Sequence, residues 1–263
     1  MEFKPEDLEA LRSARHTLEE TSLAIRISNL IGTPIEKATR MLPDKWSGLL
    51  HDATRRAIQA ALKVALATLD KSARAQSRDW LHKALVTATG AGSGVFGLPA
   101  LILELPASTA IMLRSIADIA RSQGEDLRTA EARLECVKVF ALGGATSGDD
   151  AADTGYFAVR AALAREVAEA AKYLVGRGVL DEAAPVLVRF ISRVASRFST
   201  AVGQKAAAQA VPIIGAAGGA TVNLLFIDHF QDVARAHFTI RRLERIYGAE
   251  AIRSEYTRAA SSG

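Results

Sequence analysis

Two long apolar stretches set the strongest limit on how this chain folds. Val95 to Leu113 runs for 19 residues with one charge, Glu104, near its centre. Ala206 to Ile227 runs for 22 residues with no charge, Gln209 and Asn223 being its strongly polar members. Either is long enough, as a helix, to cross a hydrocarbon core. Composition points elsewhere. A central carboxylate opposes insertion by roughly 3 kcal/mol, Pro99 and Pro106 interrupt the first stretch, and Ala and Gly give the second little transfer energy. Both are therefore expected as buried core helices. Glycines at 90 and 94, and at 215, 218 and 219, suit tight helix crossings in either medium.

The rest of the sequence is punctuated for helices, with no period-2 strand pattern. Pro5, followed by Glu6 and Asp7, opens a helix with the stripe Leu8, Leu11, Leu18, Ile25, which Gly32 is placed to end. Thr33-Pro34-Ile35-Glu36 reads as a capping box with proline at the first helical position. Pro43 closes that short helix and Asp44 is placed to cap the next, whose Ala-rich face is Trp46, Leu50, Ala53, Ala57, Ala61 and Ala65. A further region begins near Ser77-Arg78-Asp79-Trp80 and meets four glycines between 90 and 97. Helices are then expected to about Gln123, from Arg128 to Leu142, from Tyr156 to Val175, from Glu182 to about Thr200, and from near Pro212 to Tyr247. The expected fold is all-α, a multi-helix globular bundle built around the two apolar Gly-rich helices. Residues 1–43 read as a helical arm, 44–248 as the main domain with an internal boundary near 144–155, and 249–263 as a tail.

Composition excludes several classes. With 49% hydrophobic residues over 263 positions the chain is too apolar for disorder, and its single cysteine, Cys136, forms no internal disulfide and reads as a packed free thiol. The net charge of +4 is too small for a nucleic-acid arm, so no nucleic-acid partner is expected. The start, Met1-Glu2-Phe3-Lys4-Pro5-Glu6-Asp7, lacks the apolar core of a signal peptide, which predicts a cytoplasmic chain. Charge is uneven: residues 125–153 carry an acidic excess and 154–205 a basic one. That polarity can orient a protein on an anionic membrane, and solvated helix faces produce it too.

The informative residues are polar ones on apolar stripes. On a helix through 223–247, Phe226, Phe230, Val233, Ile240 and Tyr247 share a face. His237 and Glu244 fall inside it, and His229 and Asn223 lie on its margins. Asp228, Gln231, Asp232, Arg235 and Arg242 form the opposite, solvent-like face. In the first apolar stretch, Glu104, Arg114 and Asp118 lie within about 80° if the helix continues past Pro106. Arg114 with Asp118 is the simplest local pair, and Glu104 is placed to meet His237, His229 or Asn223 if the two apolar helices touch. Such a cluster is either a register-fixing hydrogen-bond network or a carboxylate–histidine centre for acid/base or metal chemistry. Metal spacing is weak: Glu104, His229 and His237 are the only candidates, without a Glu-x-x-His or His-Glu-x-x-His pair. Phosphate-loop and serine-hydrolase signatures are missing too, and no cofactor is expected. His16, His51 and His82 read as scattered surface residues, and Arg241, Arg242 and Arg245 as a basic helix end.

Two blocks carry a resemblance. One is Gly97-Leu98-Pro99 through Glu104-Leu105-Pro106, Leu113-Arg114, Ala117-Asp118-Ile119-Ala120, Gly124-Glu125-Asp126 and Ala141-Leu142-Gly143-Gly144. The other is Val211-Pro212-Ile213-Ile214-Gly215, Asn223, Asp228-His229-Phe230, His237-Phe238 and Arg242-Leu243-Glu244-Arg245-Ile246-Tyr247-Gly248. In this order and spacing they resemble the EcsC family, named for a bacterial protein encoded beside the subunits of an ABC exporter. The resemblance covers roughly residues 45–248. It implies a bacterial cytoplasmic protein working near a membrane or a membrane transporter, and supplies no catalytic residues. Glu104, Arg114, Asp118, Asn223 and Glu244 match its motifs, while His229 and His237 are not taken as family features. The leading expectation is a membrane-peripheral or lipid-interacting accessory protein at the inner face of the membrane. The alternatives are an enzyme built on the Glu104/His237 cluster and a helical module that binds a protein partner.

Overall fold

Caps and breakers fix most of the helix ends. The computed structural model describes residues 3–20, 22–40, 42, 45–68, 98–144, 155–177, 183–210 and 215–260. Among these the regular structure is ten helices: α1 (Pro5–Glu19), α2 (Leu23–Ile31), α3 (Ile35–Arg40), α4 (Lys45–Thr68), α5 (Leu98–Ser122), α6 (Ala130–Leu142), α7 (Tyr156–Arg177), α8 (Pro185–Ala210), α9 (Gly215–Tyr247) and α10 (Ala249–Ala260). The all-α expectation holds. Pro5 opens α1 at its first turn. Gly124, at φ 85°, ends α5 in a backbone conformation that favours glycine. Thr129 caps α6 by accepting from the Ala132 amide at 3.2 Å.

Several boundaries differ from expectation. The first helix is two, because the Ser22 hydroxyl takes the Ala24 amide at 3.2 Å and starts α2. At α3 the Ile35 amide is capped by Ser28 Oγ at 2.9 Å, in place of the Thr33 box. The described part of the stretch 206–227 falls in two elements, the end of α8 at Ala210 and the start of α9 at Gly215, and residues 211–214 lie outside the described residues. Residues 249–260, expected as tail, form α10 and bury Ile252 and Tyr256. Asp44, His82, the region from Ser77 through the glycines at 90–97, and the acidic run 148–154 lie outside the described residues.

The most enclosed helix is α6, with eleven of its thirteen residues buried. A helix apolar around its circumference belongs in the middle of a bundle, and α4, α5, α7, α8 and α9 all touch it. Its exit is tight. A Cβ on Gly144 would lie 2.1 Å from the Arg197 carbonyl oxygen of α8, and one on Gly143 would lie 2.5 Å from the Phe230 ring of α9. Glycine is therefore required where α6 meets both neighbours. Phe140, Phe198, Phe226 and Phe230 interlock there, with ring centroids 4.9–5.9 Å apart. The alanine face of α4 is buried as expected and lets α4 lie along α5, which in turn packs on α9. At the N-terminus α1 docks on α9, where buried Asp7 accepts from Arg242 at 3.2 Å and from the Tyr247 hydroxyl at 2.8 Å.

Candidate functional site

Helices α6, α7 and α9 carry a chain of charged and polar side chains through the interior. His237 on α9 lies 3.1 Å from Glu135 Oε2 on α6 and 2.8 Å from the Tyr156 hydroxyl on α7. Burial opposes the charge on Glu135, but Lys138 at 2.5 Å and the His237 bond hold its carboxyl far below the usual range. Burial also pushes the imidazole of His237 down to about 4, despite Glu135. The ionised Glu135 only accepts, so His237 Nε2 carries the proton and Nδ1 accepts from Tyr156. Arg160 donates to Tyr156 at 3.4 Å and grips Glu244 with two bonds of 2.7 and 2.6 Å. Arg241 reaches Glu135 at 3.7 Å and forks onto Glu125 at 2.9 and 3.1 Å, and Arg245 also bonds Glu125.

This network is complete. None of its buried side-chain atoms is left without a partner. Its outer members Arg241 and Glu244, with Glu125, Thr129, Glu131 and Arg245, line a cleft of about 380 Å³. Glu135, Lys138, Tyr156 and His237 are sealed beneath. The arrangement locks three helices into one register, and burial raises the Tyr156 pKa, which leaves its hydroxyl a donor rather than a nucleophile.

A second polar region, at the level of Glu104, is built differently. Helix α5 continues through Pro106 and points Glu104 inward to Lys205 of α8, Nζ to Oε1 3.8 Å. That is beyond hydrogen-bond distance. Lys205 is 1% exposed and sits 5.0 Å from the Phe226 ring centroid of α9, and burial lowers its pKa against the pull of Glu104. Both Glu104 oxygens lack a hydrogen-bond partner, as do both polar atoms of Gln209, one turn beyond Lys205. Each such group costs about 1–3 kcal/mol when buried unmet.

The expected cluster is thus resolved into separate sites. His237 and Glu244 do belong to one network, through Tyr156 and Arg160. Glu104 does not meet His237, His229 or Asn223; Lys205 is its charged neighbour. His229 turns to the Gly143 carbonyl at 2.7 Å, and burial pushes its pKa down to about 4. Asn223 is buried one turn from Phe226. Arg114 is exposed, on the outer face of α5 in line with Leu103 and Ala107, and Asp118 pairs with Arg121 at 2.8 Å. Gln231, expected on a solvated face, is buried and donates to Ser115 at 2.7 Å, since α9 is enclosed on that side by α5. Arg242 likewise docks α1 through Asp7. Among the described residues, no group of three or more His, Cys, Asp or Glu is placed to hold a metal ion. Cys136 is buried and free.

Glu135, Lys138, Tyr156, Arg160 and Lys205 were not legible as site residues. A signal existed for the first two: charges three apart on a run as apolar as Leu134 to Leu142 have no wet face to occupy.

The outer surface of α5 reverses the usual helix pattern. Between Leu98 and Leu113 the only charge is Glu104, which faces inward, whereas Leu103 is 82% exposed in a row with exposed Pro99 and Ala107 that ends at Arg114. The neighbouring α4 exposes Arg55, Arg56 and Lys63. The basic excess of 154–205 is largely internal or paired: Arg160 with Glu244, Arg165 and Arg189 with Glu169, Arg193 with Glu166, and Lys205 buried.

No curated protein and no solved structure matches the chain. The EcsC protein family matches residues 5–243, which takes in helices α1–α3 as well as the blocks that carry the sequence resemblance from 97 as far as Leu243. The chain belongs to the EcsC protein family.

Proposed function

We propose that this protein is a membrane-peripheral, lipid-interacting accessory protein that seats the outer face of α5 on an anionic lipid surface. One observation carries this reading: α5 hides its only charge of the first four turns and leaves Leu103 82% exposed. Exposed apolar rows of this kind mark contact surfaces. The neighbouring helix α4 exposes Arg55, Arg56 and Lys63, and each basic residue near an anionic leaflet contributes about 1 kcal/mol. By length and composition α5 could also cross a membrane from Pro99 to Ser122, but half of that window is buried against other helices. Seating therefore fits better than spanning. The inner face of the membrane and a transporter as partner belong to the same proposal.

An enzyme centred on Glu104 and His237 gains no support, because the two residues occupy separate sites and His237 is sealed. Flotation with phosphatidylserine vesicles at low salt tests the lipid reading. The wild-type chain should float, and L103D and R55E/R56E should each cut recovery at least threefold. Failure of the wild type to float overturns it.

A further inference from the structure

We infer that Glu104, Lys205 and Gln209 form a binding site for a vicinal diol, the chemistry carried by a glycerol or sugar head group. The site starts from buried polar atoms with nothing to bond. Glu104 offers two oxygens and Gln209 an oxygen and an amide nitrogen, all without a hydrogen-bond partner. Lys205, buried beside them, stops 3.8 Å short of Glu104. Buried polar groups are normally satisfied, so four open atoms and a loosely held ammonium call for an occupant that both gives and takes hydrogen bonds.

Charge narrows the choice. One carboxylate and one ammonium sum to zero, so an anion meets Glu104 and a cation meets Lys205, each unfavourably. A hydroxyl does neither harm: it donates to Glu104 or Gln209 Oε1 and accepts from Lys205 or Gln209 Nε2. Two adjacent hydroxyls match the paired acceptor and donor. Glu104 keeps 8% of its side chain exposed and is the sequence neighbour of Leu103, which places the site next to the apolar row of α5. A lipid head would enter there with its acyl chain along that row. The lipid form of the inference rests on the reading of α5 given above; the diol chemistry does not.

Titration calorimetry with three probes tests it: 1-octanoylglycerol below its micelle concentration, ethyl octanoate, which keeps the chain without the diol, and free glycerol. The double variant E104Q/K205M removes both charges with little change of shape, and its helicity by circular dichroism checks the fold. Octanoylglycerol should bind at least tenfold more tightly than ethyl octanoate, and the double variant should lose that preference. Glycerol binding that the double variant abolishes keeps the site and assigns it to a soluble polyol. Equal affinity for the two amphiphiles, an unchanged preference in the double variant, or no binding of any probe overturns the inference. Wild-type flotation on phosphatidylserine is read separately: its failure with diol binding intact overturns the lipid-surface reading alone.

Discussion

Two polar regions lie about 16 Å apart along α9, taking 1.5 Å per residue from Phe226 to His237, and they are finished to different degrees. Around His237 every buried atom is paired, and the network spans α6, α7 and α9 without needing anything from outside. Around Glu104 and Lys205, two helices, α5 and α8, bring buried polar groups together and leave them short of bonds. The contrast separates two uses of interior charge. A closed network fixes how helices meet, at the desolvation cost its own bonds offset. An open one keeps that cost uncompensated, which is how a site prepared for another molecule differs from a strut.

Removing one member of each region should break the contrast most visibly. Glu135→Ala leaves Lys138, His237 and Arg241 facing a buried gap, and should lower unfolding free energy by roughly 3–5 kcal/mol in urea titrations. Acid should act next. His237 is neutral when folded, with a pKa near 4 against 6.5 for the free side chain, so the unfolded chain binds the extra proton between those values. Stability is therefore fully present above pH 6.5 and falls by about 3 kcal/mol as pH drops to 4. His229 adds a loss of the same sign, and Glu135 continues it below 4.5. Urea midpoints against pH, with imidazole shifts by NMR staying neutral at pH 5.5, check this. The smallest effect belongs to the open region: E104Q/K205M should change stability by less than about 1 kcal/mol, because a loose pair is removed whole. A loss as large as that of Glu135→Ala would make the two regions alike.

The helical class was legible, since cap residues, glycines and apolar spacing are local signals. Pro5, the helix end near Gln123 and the alanine face of α4 perform as their positions suggest. The stripe containing His237 and Glu244 was legible for the same reason. What failed were pairings between helices. Arg114 faces water while Gln231 does not, and Glu104 finds Lys205, which the sequence showed only as part of the basic excess of 154–205.

The sequence alone determined the helical class and most of the apolar stripes, because those follow from backbone hydrogen bonding and 3.6-residue periodicity within one segment. Only the tertiary structure decided which charges are enclosed and with whom. A helix wheel gives the direction of a side chain, but its neighbours are set by how distant segments cross, and for a buried charge the neighbour is the whole of the energy.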